Sequence, residues 1–119
     1  ARRVRKVFGG GMRQAGFLAA AGVYALQNNF ERLAMDHEHA RQIATCLAGK
    51  DYIQQLLPVE TNIIIFELKP GLSAPQLVAR LKEHGILTYA IAPDRVRLVL
   101  HLDITPQMVD RTIEIFSKL

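Results

Sequence analysis

Three basic side chains stand where their chemistry has an evident use. Lys6 and Arg13 flank the glycine run Gly9-Gly10-Gly11, just before a long helical pattern. Glycine lets the chain turn sharply and approach a ligand closely, and a helix start offers free N–H groups with partial positive charge. Such a package suits an anion, although glycine runs also serve as plain turns. Arg97 sits inside an alternating strand pattern, on the side away from the apolar residues. Its planar guanidinium matches a carboxylate with two parallel hydrogen bonds. The competing reading is an exposed strand residue paired to Asp94 or Asp103. His101 lies four residues further on, about 13 Å away along an extended strand, too far to share one small ligand with Arg97.

Other chemistries lack their residues. There is no Ser/His/Asp set, no paired acids at a defined spacing and no zinc-ligand pattern. His37 and His39 fall two apart on a helical segment, on different faces, and read as solvated or locally bonded histidines. The glycine run does not match GxGxxG, and no Walker lysine follows it. Asn62, after Thr61 at a strand start, reads as a local backbone bond rather than a ligand contact.

These residues need elements to hold them. Residues 1–8 resemble the end of a helix. An Ala-rich helix is expected from Met12 to Asn28, apolar nearly all round and therefore buried. A second is expected from Phe30 to Ala48, with Phe30, Leu33, Ala34, Ile43, Ala44 and Leu47 inward and Gly49 as its stop. Tyr52 to Leu57 reads as a short strand or irregular segment. Asn62 to Leu68 reads as a strand buried on both faces at its centre. Pro70-Gly71 turns the chain, Ser73 caps a helix to His84 with Leu77, Val78 and Leu81 inward, and Gly85 ends it. Ile86 to Ile91 and Arg95 to Leu102 are strands, the second with Val96, Leu98, Leu100 and Leu102 on one face. Thr105-Pro106 opens a final helix that buries Met108, Val109, Thr112, Ile113 and Phe116. The order implies an α+β domain, a short and mostly antiparallel sheet with helices on one face.

The chain has 119 residues, a net charge of +4 and a hydrophobic fraction of 50%, which describes one globular domain's worth of chain. Cys46 is the single cysteine, so no intrachain disulfide forms, which fits a reducing compartment. No apolar run reaches the roughly 20 residues of a membrane span, and no signal peptide is recognisable. The basic start, Arg2 to Lys6, reads as a solvated end rather than a nucleic-acid arm. An opening on Ala1 suggests a piece of a longer chain.

Taken together, the residues carry a resemblance. Arg5-Lys-Val-Phe-Gly-Gly-Gly-Met-Arg-Gln-Ala-Gly-Phe-Leu-Ala-Ala-Ala-Gly-Val-Tyr-Ala-Leu26 resembles the segment after the catalytic lysine of low-specificity L-threonine aldolases. Glu31-Arg32-Leu33, Asp36-His37, Glu60-Thr61-Asn62-Ile63, Val96-Arg97-Leu98-Val99 and His101-Leu102-Asp103 continue it along essentially the whole chain. That family has the aspartate-aminotransferase fold (fold type I). It uses pyridoxal 5'-phosphate to cleave L-threonine and L-allo-threonine to glycine and acetaldehyde.

The resemblance implies a C-terminal segment: residues 1–28 as glycine-rich loop and interdomain helix, residues 29–119 as the small domain, with a large N-terminal domain as partner. The Schiff-base lysine and its serine-rich setting fall before Ala1, so no catalytic residue lies in this chain and the chain alone is expected to be inactive. Lys6 is a basic residue ahead of the glycines, not that lysine. Arg13 and Lys6 are expected at the cofactor phosphate, in the same or a neighbouring subunit, and Arg97 at the substrate α-carboxylate. A homotetramer, or dimer of dimers, in the cytoplasm follows, with an amino-acid substrate, no metal-ligating residue in this chain, and no nucleic acid or membrane partner. Three alternatives stand beside this: another pyridoxal-phosphate lyase or racemase of the same fold, a non-catalytic basic binding module, and a separately folded remnant with only a structural role. The second would need aromatic residues at strand centres. Phe66 and Tyr89 are present, but no RNP1-like pattern is.

Overall fold

The computed structural model describes all residues, 1–119. It divides into two compact units, Ala1–Leu33 and Ala34–Leu119. The division falls a few residues beyond the Asn28-Asn29 pair at which the sequence breaks its helical pattern.

The first unit holds two helices, α1 (Arg2–Val7) and α2 (Gly16–Asn28). Helix α2 starts later than Met12. Gln14 adopts φ +50°, a left-handed backbone that a helix cannot include, and no side chain caps the N-terminus behind Ala15. At the other end Asn28 Nδ2 donates to the Tyr24 carbonyl at 2.9 Å. The expected burial of α2 is not found. None of its residues is buried, and Phe17, Leu18, Val23, Tyr24 and Leu26 are all exposed. A helix apolar on every side needs cover on every side, and two short helices have none to give.

The second unit runs α3 (Leu33–Ala48), β1 (Ile53–Leu56), β2 (Ile63–Leu68), α4 (Ala74–Glu83), β3 (Tyr89–Ala92), β4 (Arg95–Val99) and α5 (Pro106–Lys118). The strands form one antiparallel sheet in the order β1-β2-β4-β3. Alternation sends Ile64, Phe66 and Leu68 of β2, with Val96 and Leu98 of β4 and Leu100, the residue after it, into the core. Helices α3, α4 and α5 cover that face with Ala40, Ile43, Leu47, Ala74, Leu81, Val109 and Phe116. The rings of Phe66 and Phe116 meet edge to face, centroids 6.4 Å apart and planes at 87°, a favoured aromatic geometry. The α+β reading with helices on one face therefore holds.

Several packing expectations need correction. Strand β2 is not buried on both faces, because Ile63 is exposed and Ile65 and Glu67 are only half-buried. Helices cover one face alone, so β-branched residues line the open one as well. Helix α3 presents Asp36, His39, Ala40, Ile43, Ala44 and Leu47 inward, not Phe30, Leu33 and Ala34. Phe30 precedes the helix, and the buried stripe follows the i, i+3, i+4 spacing from Asp36. His39 is accordingly 5% exposed with Nδ1 lacking a partner, rather than solvated. Met108 and Leu102 are exposed, since Met108 lies in the first turn of α5 and Leu102 lies beyond the end of β4. Thr112 and Ile113 are half-buried, as are Leu77 and Val78 on α4. Strand β3 begins at Tyr89 rather than Ile86, and Leu87 is 80% exposed.

The turns and caps follow their residues. Thr105 Oγ1 accepts from Met108 N at 3.3 Å, and Pro106 starts α5. Ser73 stands at the N-cap of α4 in extended backbone without a side-chain bond.

Candidate functional site

The glycine segment is a tight loop folded back onto α1. Gly9 takes φ +85°, which glycine alone adopts without cost. Its N–H donates to Lys6 O at 3.3 Å, and Gly10 N–H donates to Arg5 O at 2.8 Å. A Cβ on Gly10 would lie 2.6 Å from Arg5 Cγ and 3.0 Å from Arg5 O. Close approach is thus required here, but toward α1 rather than toward a ligand. The fold-back leaves the side chains of Lys6 and Arg13 exposed, with no hydrogen bond and no ion pair. They form a cationic flank on either side of a tightly bent loop.

Arg97 occupies the middle of β4. Register sets it opposite Ile65 of β2 on one side and Tyr89 of β3 on the other. Alternation turns it to the open face of the sheet, where it is exposed and has no hydrogen-bond or ion-pair partner. Neither Asp94 nor Asp103 pairs with it. Asp103 instead lies 3.6 Å from His101 Nδ1, which also accepts from Asp103 N at 3.4 Å. His101 sits beyond the end of β4 and belongs to that local turn.

The same face holds a second arginine with a different fate. Arg95 Nη2 is ion-paired to Glu67, its cross-strand partner on β2. Sequence reading did not identify this pair, because residues 28 apart meet only once the strand register is known. Ile63 and Val99, also directly opposed, complete the face as an apolar, partly exposed floor. Asn62 does not address this face. Its Nδ2 donates to Leu100 O at 2.6 Å while Leu100 N–H donates to Asn62 O at 2.8 Å, which extends the β2–β4 pairing. A free guanidinium on an apolar floor binds a small carboxylate more strongly than one in open water, because local water competes less for it.

No group of three or more histidine, cysteine or acidic side chains is placed to hold a metal. No helix is long and apolar enough to cross a membrane.

Residues 1–70, which include the glycine segment, match the family model of beta-eliminating lyases. The chain belongs to the beta-eliminating lyase family. Curated relatives of this chain include low-specificity L-threonine aldolase 1 of Arabidopsis thaliana, 40% identical over 99% of this chain and 34% of its own length. The low specificity L-threonine aldolase of Escherichia coli K12 is 41% identical over 90% of this chain and 31% of its own. The chain therefore spans about a third of the length of these relatives. Among solved structures, the cystine C–S lyase C-DES bound to cysteine persulfide superposes with a TM-score of 0.67, at 19% identity, over 88% of this chain and 29% of that one. A C-DES variant with glycine covalently linked to its pyridoxal-phosphate cofactor gives 0.64. The chain has the fold of this part of the fold-type-I pyridoxal-phosphate enzymes.

Proposed function

We propose that this chain is the small-domain part of a pyridoxal-phosphate-dependent aldolase that cleaves L-threonine and L-allo-threonine to glycine and acetaldehyde. The observation that carries the reading is the unpartnered Arg97 on the open apolar face of the sheet, inside a sequence 40% identical to a threonine aldolase. An arginine fork with no internal acid suits the α-carboxylate of an amino acid and fixes the direction of its Cα–Cβ bond.

Bound pyridoxal phosphate would serve as the sink for electrons released at Cα. The donor set in this chain fits the phosphate end of that group. Lys6 and Arg13 are exposed cations with no acidic partner, on either side of a loop that Gly9 and Gly10 bend sharply. Phosphate is bound by such cations as a charge-assisted contact. In this reading residues 1–28 act as glycine-rich loop and interdomain helix, and residues 29–119 as the small domain. The remaining chain of the parent polypeptide supplies the reactive lysine. The apolar, exposed α2 calls for cover by protein, which a cytoplasmic homotetramer built as a dimer of dimers would provide.

The test is acetaldehyde release from L-threonine by the parent polypeptide, compared with the 119-residue chain. The reading expects release from the first only. Release by the short chain, or cysteine desulfurisation or alanine racemisation in place of aldol cleavage by the parent, would overturn it.

A further inference from the structure

Tyr89 is the direct cross-strand partner of Arg97. It is 69% exposed on β3, an edge strand, and its hydroxyl has no hydrogen-bond partner and its ring no aromatic partner within the chain. Its hydroxyl is therefore free to donate to a ligand held at Arg97. Directly opposed residues of an antiparallel pair hold their Cβ atoms about 4.5–5.5 Å apart on one face. Tyrosine and arginine side chains are of similar reach, so a ligand held by one is within range of the other.

We propose that the Tyr89 hydroxyl is a second donor to the substrate carboxylate, beside the Arg97 guanidinium. The inference rests on the reading of Arg97 as carboxylate anchor. A carboxylate has about four acceptor positions, and a bidentate arginine fills two of them. The phenol O–H fills a third with a short, charge-assisted bond. The surroundings favour this arrangement. Ile65 flanks Arg97 on the other strand and offers no competing polar group. Glu67, the acid on the same face, is neutralised by Arg95 and does not repel an incoming anion. Because Tyr89 approaches from the open edge of the sheet, it also limits how far the carboxylate slides along Arg97, which fixes the rest of the amino acid in register.

The experiment uses the parent polypeptide with its cofactor and compares Tyr89→Phe with Arg97→Ala. Tyr89→Phe keeps the ring and removes only the donor. It is expected to raise KM for L-threonine about tenfold, the loss of one hydrogen bond to a charged group, with kcat within twofold. Calorimetric titration should show glycine bound about tenfold more weakly and glycinamide, which lacks the carboxylate, bound as before. Tyr89→Phe with unaltered glycine affinity, while Arg97→Ala loses it, would overturn the inference and leave the function standing. Equal weakening for glycine and glycinamide would also overturn it, since the hydroxyl would then act on something other than the carboxylate. Unaltered glycine binding in both variants would overturn the anchor reading itself.

Discussion

Arg95 on β4 is bonded to Glu67 on β2, directly across the sheet, while Arg97 two residues later on the same face has no acid to meet. The neighbouring arginines thus divide the work. Arg95 ties two strands, and Arg97 keeps an exposed guanidinium without an internal partner. A double-mutant cycle with Glu67→Gln and Arg95→Gln should give a coupling energy of about 1 kcal/mol, the upper part of the range for partly exposed pairs. Urea unfolding of the 119-residue chain measures it. Zero coupling would mean that Arg95 is as available as Arg97.

The sheet that carries Arg97 depends on the aromatic contact beneath it. Phe116 is fully buried against Phe66. Phe116→Ala should cost about 3–5 kcal/mol, a large share of a typical domain's stability. Phe116→Leu should cost much less. Thermal melts of both variants check the order.

Tyr52 gives a pH signature. Burial chiefly, with the nearby Cys46 adding, pushes its phenol from 10.0 up to about 12. The folded state therefore favours the protonated phenol. Its contribution to stability is complete below pH 10 and declines as pH rises from 10 toward 12. Ultraviolet titration should show one late-ionising tyrosine, absent in Tyr52→Phe, and the variant's stability should fall less over that window.

Lys6 and Arg13 flank a loop whose bend requires glycine. Arg13→Ala in the parent polypeptide should weaken pyridoxal-phosphate retention several-fold, and Lys6→Ala to a smaller extent, read by cofactor absorbance after dialysis. Gly10→Ala forces a Cβ against the Arg5 carbonyl and should disturb the loop even though no charge is lost. Full retention in Arg13→Ala would remove that residue from the phosphate site.

Much of the fold was legible because local signals agreed with one another. Thr105-Pro106 marks the start of α5 by cap chemistry, Gly85 ends α4 with φ +82°, and the alternation of β4 separates Val96 and Leu98 from Arg97. Where apolar content was read as burial, the structure departs. Leu18, Met108 and Leu87 are apolar and exposed, because burial depends on which surface is covered rather than on side-chain type. Cross-strand partners were not legible at all. Glu67 meets Arg95, and Tyr89 meets Arg97, only through a register that many sequence-distant contacts set jointly. The position of Gln14 in left-handed backbone carries no sequence signal either, since glutamine is not a residue that favours it.

The most direct test is steady-state kinetics of Arg97→Ala in the parent polypeptide. The account predicts a KM for L-threonine raised at least tenfold and a reduced turnover, with the cofactor still bound and Arg97→Lys partly restoring activity. Wild-type KM and kcat in Arg97→Ala would contradict it, and the carboxylate anchor would have to lie elsewhere.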